Sequence, residues 1–329
     1  MRRTVVAGLV ALALALGACG GDKGSDSTTT SPDTNSSSTA TATGSASPTD
    51  DTVKPVVSDE GMPTLTEADG NPILAFPSET PPDQLQMTLV EEGTGATVGP
   101  KDFVIANYEG QVWGNSLPFD SSFVRGKSIG FPLTQVVKGW TYSLTDRKVG
   151  DKLIVSIPAD LGYGPSGGNA NAGISATDTI AFYIEIVGVY GANQAGQADA
   201  KVITQPEDLP VVVKGALGEP FKVNVKEGQA EPTEVKVTTI AEGSGEPVGG
   251  AGTSAYLQYT LTFWDNSTAE TSFDVSGPQA VTIGGGTVFD MLQGVPVGSR
   301  VLLEIPAQDG SSGTTSPAFA VVVDILGQM

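Results

Sequence analysis

Four aromatic residues and one aspartate, Tyr108, Phe119, Asp120, Trp140 and Tyr163, stand at intervals along one stretch of the chain that suit the lining of a pocket. They sit in short motifs: Val104–Ile105–Ala106–Asn107–Tyr108–Glu109–Gly110, Phe119–Asp120–Ser121–Ser122, Val136–Val137–Lys138–Gly139–Trp140 and Leu161–Gly162–Tyr163–Gly164. Spaced aromatics of this kind suggest an apolar site for a proline ring. The composition excludes most other chemistries. With 0 His and 1 Cys, the chain cannot build a Ser-His-Asp triad, a Cys-His pair or a histidine-ligated metal site.

The elements that must position these residues are mainly strands. Phe103–Tyr108, Lys152–Ile157 and Ile180–Val189 alternate or run apolar, are rich in β-branched residues and are bounded by Gly and Pro. Trp140–Asp146 is the helix expected among them, because Trp140 and Leu144 fall one helical turn apart. A sheet wrapped over one short helix follows, an α+β fold dominated by β.

Around this stretch, the termini and charge set further bounds. Arg2 and Arg3 precede an apolar run from Val5 to Leu16, too short to span a bilayer but suited to the core of a secretory signal. The run ends in Leu16–Gly17–Ala18–Cys19, which resembles the lipobox of bacterial lipoproteins and implies acylation of Cys19 as a membrane anchor. Residues 20–58 are Ser, Thr, Asp, Gly and Pro with few large apolar side chains, so they are expected to form a disordered tether. Since Cys19 is the lone cysteine, the folded part has no disulfide. Lys and Arg total 17 against 37 Asp and Glu, a net charge of −20, which opposes nucleic-acid binding. No spaced acidic loop of the EF-hand kind occurs, and neither a metal nor a cofactor is expected.

The second half repeats the first at an offset of about 150 residues, too long for a solenoid and so a duplicated domain. Gly70–Asn71–Pro72 falls on Gly218–Glu219–Pro220, Tyr108 on Tyr259, Phe119–Asp120 on Phe273–Asp274, and Ile157–Pro158–Ala159 on Ile305–Pro306–Ala307. The expected domains are 59–192 and 200–329, with a hinge near Gly191–Ala200.

Taken in order, the four motifs resemble the FKBP family of peptidyl-prolyl cis/trans isomerases. The resemblance covers the first repeat and implies tandem FKBP-like domains, each an antiparallel sheet wrapped around a short helix with the pocket between them. It implies that Trp140 floors the pocket under the prolyl ring and that Tyr108, Phe119, Val136, Val137, Ile174 and Phe182 wall it. Asp120 would bridge within the site, and Tyr163 would donate its hydroxyl to a carbonyl of a bound peptide or rapamycin-type macrolide. Where the family carries a further pocket aromatic this chain has Ile129, with Phe131 two residues on and on the same strand face. The loop Pro165–Ile174 is longer than usual and rich in Gly and Asn. The second repeat lacks both the Gly-Trp and the Tyr-Gly loop, so it is expected to keep the fold with little or no activity.

The implied reaction suits the composition. Rotation about an X–Pro bond breaks amide resonance, against a barrier of ~18–20 kcal/mol, but makes and breaks no σ-bond, so imidazole is not required. An isomerase of exported proteins is one reading, and a non-catalytic peptide- or ligand-binding envelope lipoprotein is the other. The anchor is tested separately: a Cys19→Ser variant is expected to leave the membrane fraction on cell fractionation, and a variant that stays there would refute acylation at this residue.

Overall fold

The computed structural model describes residues 53–77, 80–309 and 315–329. The signal, Cys19 and nearly all of the expected tether lie outside the described residues. The folded part begins earlier than the composition implied. Val56–Val57 (β1) pairs in parallel with Gln86–Glu91 (β4), so these valines belong to the sheet. A two-residue strand is too short for any periodicity to announce it.

After the hairpin Thr64–Ala68 (β2) and Asn71–Ala75 (β3), the first repeat continues with Phe103–Val112 (β5), Asp120–Ser121 (β6), helix Ser122–Arg125 (α1) and Ile129–Pro132 (β7). Helix Lys138–Leu144 (α2), Lys152–Ile157 (β8), the short pair Gly168–Asn169 (β9) and Ile174–Ser175 (β10), and Ile180–Tyr190 (β11) complete it. The sheet runs β1-β4-β8-β11-β5-β6, with β7 also paired to β5, and is antiparallel apart from β1. Alternation along β5 turns Val104, Ala106 and Tyr108 inward. There they join Trp140 and Leu144 of α2 and Phe182, Ile184 and Ile186 of β11 in one core. The helix begins two residues before the expected start and packs by the predicted face, since Trp140 and Leu144 are both buried.

The second repeat has the same plan. Lys201–Val202 (β12), the hairpin Val211–Lys214 (β13) and Lys222–Val225 (β14), Lys236–Glu242 (β15) and Ser254–Phe263 (β16) are followed by Ala269–Thr271 (β17) and Gln279–Thr282 (β18). Arg300–Ile305 (β19), the small pair Gln308–Asp309 (β20) and Thr315–Ser316 (β21), and Phe319–Gln328 (β22) end the chain's strands. Its sheet order, β12-β15-β19-β22-β16-β17 with β18 on β16, matches the first position for position. A short 3-10 helix, Val288–Leu292, replaces α2.

The segment expected to be a hinge is instead packed. Ala192 N donates to Asp102 Oδ1 (3.1 Å), its carbonyl accepts from Gln258 Nε2 (2.8 Å), and Gly196 N donates to Asp324 Oδ2 (2.7 Å). Asp324 is itself paired with Arg300 through Nε (2.7 Å) and Nη2 (2.8 Å), both residues being buried. The same guanidinium reaches the carbonyls of Ala216 and Glu219 at 3.1 Å each and lies 4.1 Å over the Phe221 ring. Small residues read as flexible in sequence because side chains elsewhere supply their partners.

In the first repeat the outer face of the sheet lies under the β2–β3 hairpin, where Met62, Leu74, Trp113, Ile154, Ala181 and Tyr183 form a second cluster and Leu74 N donates to Gln111 Oε1 (2.7 Å). Glu109 is sealed in this layer, 1% exposed, with neither carboxyl oxygen hydrogen-bonded. Burial alone pushes its pKa from 4.5 up to about 8. The folded protein therefore keeps a proton that the unfolded chain releases near 4.5, so stability falls as pH rises through this window. Wild-type stability to urea is expected to drop by on the order of 3 kcal/mol between about pH 5 and pH 8. Glu109→Gln, which has no proton to lose, should flatten that slope, and an unchanged slope would mean that Glu109 is not buried in the folded state.

Candidate active site

The motif residues meet at one concavity between α2 and the inner face of the sheet. A cavity of about 270 Å³ is lined by Tyr108, Phe119, Asp120, Phe131, Gln135, Val136, Val137, Trp140, Tyr163 and Phe182. Trp140 has three rings edge-on to it or nearly so: Tyr108 at 5.5 Å and 86°, Phe131 at 5.5 Å and 67°, and Phe182 at 5.2 Å and 90°. Phe119 meets Phe182 at 5.6 Å and 89°. Such edge-to-face contacts each contribute about 0.5–1.5 kcal/mol beyond the area they bury, and together they hold the rings apart as walls.

Strand register explains why these residues converge. Phe182 of β11 lies opposite Gly110 of β5, and Gly110 lies opposite Asp120 of β6. A Cβ on Gly110 would stand 2.5 Å from Phe182 Cε1 and 2.8 Å from Phe119 Cζ, so only glycine leaves both rings in place. The Tyr-x-Gly motif thus makes room for two other walls.

One polar edge interrupts the apolar lining. Tyr108 OH donates to Asp120 Oδ2 and accepts from Arg125 Nη2 at 2.8 Å, while Arg125 Nη1 pairs with Asp120 Oδ1. The Arg125 guanidinium lies 5.6 Å from the Tyr108 ring. Burial, aided by the Asp120 carboxylate, pushes the Tyr108 phenol well above its ordinary range. Tyr108 thereby stays protonated and keeps its hydroxyl proton for Asp120. Burial also raises the Tyr163 phenol, partly offset by a hydrogen bond from Asn169 in the neighbouring loop. That loop is tied by pairing of β9 with β10 and by Asn169 Oδ1 accepting from Ala172 N (3.3 Å).

Of the residues singled out in sequence, Tyr108, Phe119, Asp120, Val136, Val137, Trp140, Tyr163 and Phe182 line the cavity. Ile129 and Ile174 do not. Ile174 is buried in the core behind the wall, and Ile129 packs on that core without reaching the cavity. The longer Phe131 side chain, on the same face of β7, supplies the missing wall. Arg125 and Gln135 were not singled out. Arg125 lies five residues past Asp120, on the helix that β6 leads into, and its position was legible only as a cation within reach of a carboxylate.

In the second repeat the hydrogen bonds show a different equivalence from the one read in sequence. Tyr108 N donates to Ser122 Oγ (2.7 Å) and Tyr259 N to Ser272 Oγ (2.9 Å), which sets Asp120 against Glu270. Tyr259 OH accordingly donates to Glu270 Oε1 at 3.0 Å. Phe273 instead packs in the second core, 5.1 Å from Phe221, and Asp274 bonds Asn193. Strand pairing then places Ala269, Val281 and Val321 where the first repeat has Phe119, Phe131 and Phe182, and Leu261 where it has Gly110, and the 3-10 helix Val288–Leu292 that replaces α2 holds no tryptophan in place of Trp140. The second repeat keeps the frame and one polar pair but none of those four rings.

Residues 95–187 match the family described as FKBP-type peptidyl-prolyl cis-trans isomerase. This segment is an FKBP domain. The chain is 36% identical over 116 residues to the FKBP-type peptidyl-prolyl cis-trans isomerase FkpA of Escherichia coli K12, covering 34% of this chain and 42% of that protein. It is 35% identical over 108 residues to the outer membrane protein MIP of Legionella longbeachae, covering 33% and 45% respectively. The chain therefore spans under half the length of these relatives. The crystal structure of FkpA from E. coli aligns at 34% identity with a TM-score of 0.30, over 32% of this chain and 48% of that one.

Within the FKBP domain, Gly110→Ala is expected to lower stability by about 1–3 kcal/mol as the added methyl displaces Phe119 and Phe182 into the cavity. Urea denaturation measures the loss. A variant as stable as wild type would show that the two rings are not held against this backbone.

Proposed function

We propose that the chain is an FKBP-type peptidyl-prolyl cis/trans isomerase that works at the extracytoplasmic membrane face, anchored through Cys19, and assists the folding of exported proteins. One observation carries the reading: a mainly apolar cavity of about 270 Å³ lined by Trp140 and by aromatic rings packed edge-on against it, with Tyr108 and Asp120 forming a polar edge. A planar amide is stabilised in water by its charge-separated resonance form. The apolar enclosure withholds that stabilisation, and the twisted amide loses less on entering, so the site favours the transition state. Phe119, Phe131, Val136, Val137 and Phe182 grip the prolyl ring over Trp140. Tyr163 donates to a carbonyl of the peptide or of a rapamycin-type macrolide, and Asp120 orients Tyr108 and Arg125 at the rim.

The similarity to FkpA and to an outer membrane protein supports both activity and location. Among the described residues no helix is long and apolar enough to cross a membrane. Uncatalysed isomerisation takes tens of seconds or longer, slow enough to limit folding of exported chains.

The test is the rate of cis/trans isomerisation of an X–Pro peptide by the full chain, wild type against Trp140→Ala and Asp120→Ala. Wild type should accelerate the exchange, and Trp140→Ala should remove at least about 90% of kcat/KM, a loss of some 1.4 kcal/mol of transition-state binding or more. Asp120→Ala should lower it by a smaller factor. Because the second repeat has no aromatic floor, no residual turnover above that of the variant pocket is expected. Peptide binding without acceleration would place the protein instead among non-catalytic binders.

A further inference from the structure

The pocket wall that Phe131 supplies belongs to a short strand with support on one side. β7 has four residues and a single strand neighbour, β5. The pairing sets Phe103 against Pro132, Val104 against Phe131, Ile105 against Gly130 and Ala106 against Ile129. Alternation therefore gives this ribbon two faces. Ile129, Phe131, Val104 and Ala106 face the core and the cavity, and Gly130, Phe103 and Ile105 face away from it.

That outer face is covered by the second repeat. Phe103, Ile105 and Tyr256 form a buried cluster, 2%, 4% and 1% exposed, flanked by Tyr190 and Leu326. The Tyr256 ring lies 5.5 Å from Phe103 and 5.4 Å from Tyr190. Gly130 leaves the space for this contact: a Cβ there would stand 2.3 Å from Phe103 Cε1 and 3.2 Å from Tyr256 Cε1. Beside it, Lys127 Nζ donates to the carbonyl of Gly252 at 2.9 Å, tying the approach to β7 to a loop of the second repeat. The arrangement is one-sided. In the second repeat the residue equivalent to Gly130 is Ala280, which is exposed.

We propose that the second repeat buttresses the pocket of the FKBP domain, with Tyr256 as the positioning residue that fixes β7, and through it Phe131, against Trp140. Tyr256 touches neither substrate nor reacting atoms; it acts by filling the back of the wall. The proposal rests on the isomerase reading for its consequence in catalysis, and its structural part can be tested without it.

The experiment compares full-length wild type with Tyr256→Ala, Tyr256→Phe and Leu302→Ala, the last removing a fully buried side chain from the second core away from the contact. Tyr256→Ala is expected to raise KM for an X–Pro peptide about tenfold while kcat changes less than about twofold, because the wall contributes binding shared by ground and transition states. It should also speed amide hydrogen exchange across residues 129–131. Tyr256→Phe keeps the ring and should stay close to wild type, and Leu302→Ala should leave KM unchanged. A Tyr256→Ala variant that loses only kcat, in step with its folded fraction, with KM and exchange at 129–131 unaltered, overturns the proposal. So does an equal KM increase in Leu302→Ala. Should Tyr256→Ala fail to fold, Lys127→Met, at an exposed site, takes its place and must still speed exchange at 129–131. If wild type does not accelerate isomerisation, the functional reading fails, and exchange at 129–131 with peptide affinity decides the buttress alone.

Discussion

The contact between Trp140 and the rings of Tyr108, Phe131 and Phe182 is what the rest of the FKBP domain serves. Those three rings come from three different strands, and Trp140 comes from the helix that the sheet encloses. Their geometry holds only while β5, β7 and β11 keep register, because a slip of one residue would turn each ring to the opposite face. The sheet is thus specified twice, once by its hydrogen bonds and once by the packing it must deliver. Only the first is shared by both repeats. Their strand orders are identical, yet valine and alanine stand where the first repeat has rings, so the scaffold does not require the pocket.

The polar edge follows the same division. Tyr259 and Glu270 preserve the hydroxyl–carboxylate pair of Tyr108 and Asp120, but the second repeat has Val275 near the place of Arg125, and among the described residues no guanidinium pairs with the acid there. Its strong ion pair lies elsewhere, where Arg300 and Asp324 are buried together and tie the sheet to the β13–β14 hairpin and to the linker. Removing one partner of such a pair costs about 3–5 kcal/mol, since the other is left charged and dry. In the first repeat the corresponding basic residue, Lys152, instead pairs at the surface with Glu91. One repeat concentrates its polar chemistry at an open rim and the other at an internal joint.

Much of the site was legible because its motifs are local. Gly110, two residues past Tyr108, and Asp120, directly after Phe119, meet constraints that act within one strand or turn, so residue type and spacing carry them. Ile129 was misplaced because strand alternation allows both it and Phe131, and only side-chain length decides which spans the gap to Trp140. Phe273–Asp274 was misaligned for a related reason: an identical dipeptide outweighed the serine that sets the register in each repeat. The small residues 191–200 and the valines of β1 were misread because their partners, Asp102, Asp324, Gln258 and β4, are remote in sequence. The β2–β3 and β13–β14 hairpins were missed although local signals mark them: Asp69–Gly70, both at positive φ, is a two-residue hairpin turn, and Lys222–Val225 alternates exposed and buried.

The tandem arrangement follows from these constraints. An edge strand that carries a binding-site ring needs cover on its outer face, and a face bearing Phe103 and Ile105 would otherwise expose two large apolar side chains to water. Burying each contributes about 1.5–3 kcal/mol, comparable to a substantial part of the stability of a small domain. A second copy of the same fold meets that need without the aromatic walls of the first, because what it must present is the start of β16 and the end of β22, not the concave side. Loss of the aromatic walls in the second repeat is then compatible with retention of its frame: the residues that face the FKBP domain, Tyr256 and Leu326, lie on the strands that its altered interior still has to align.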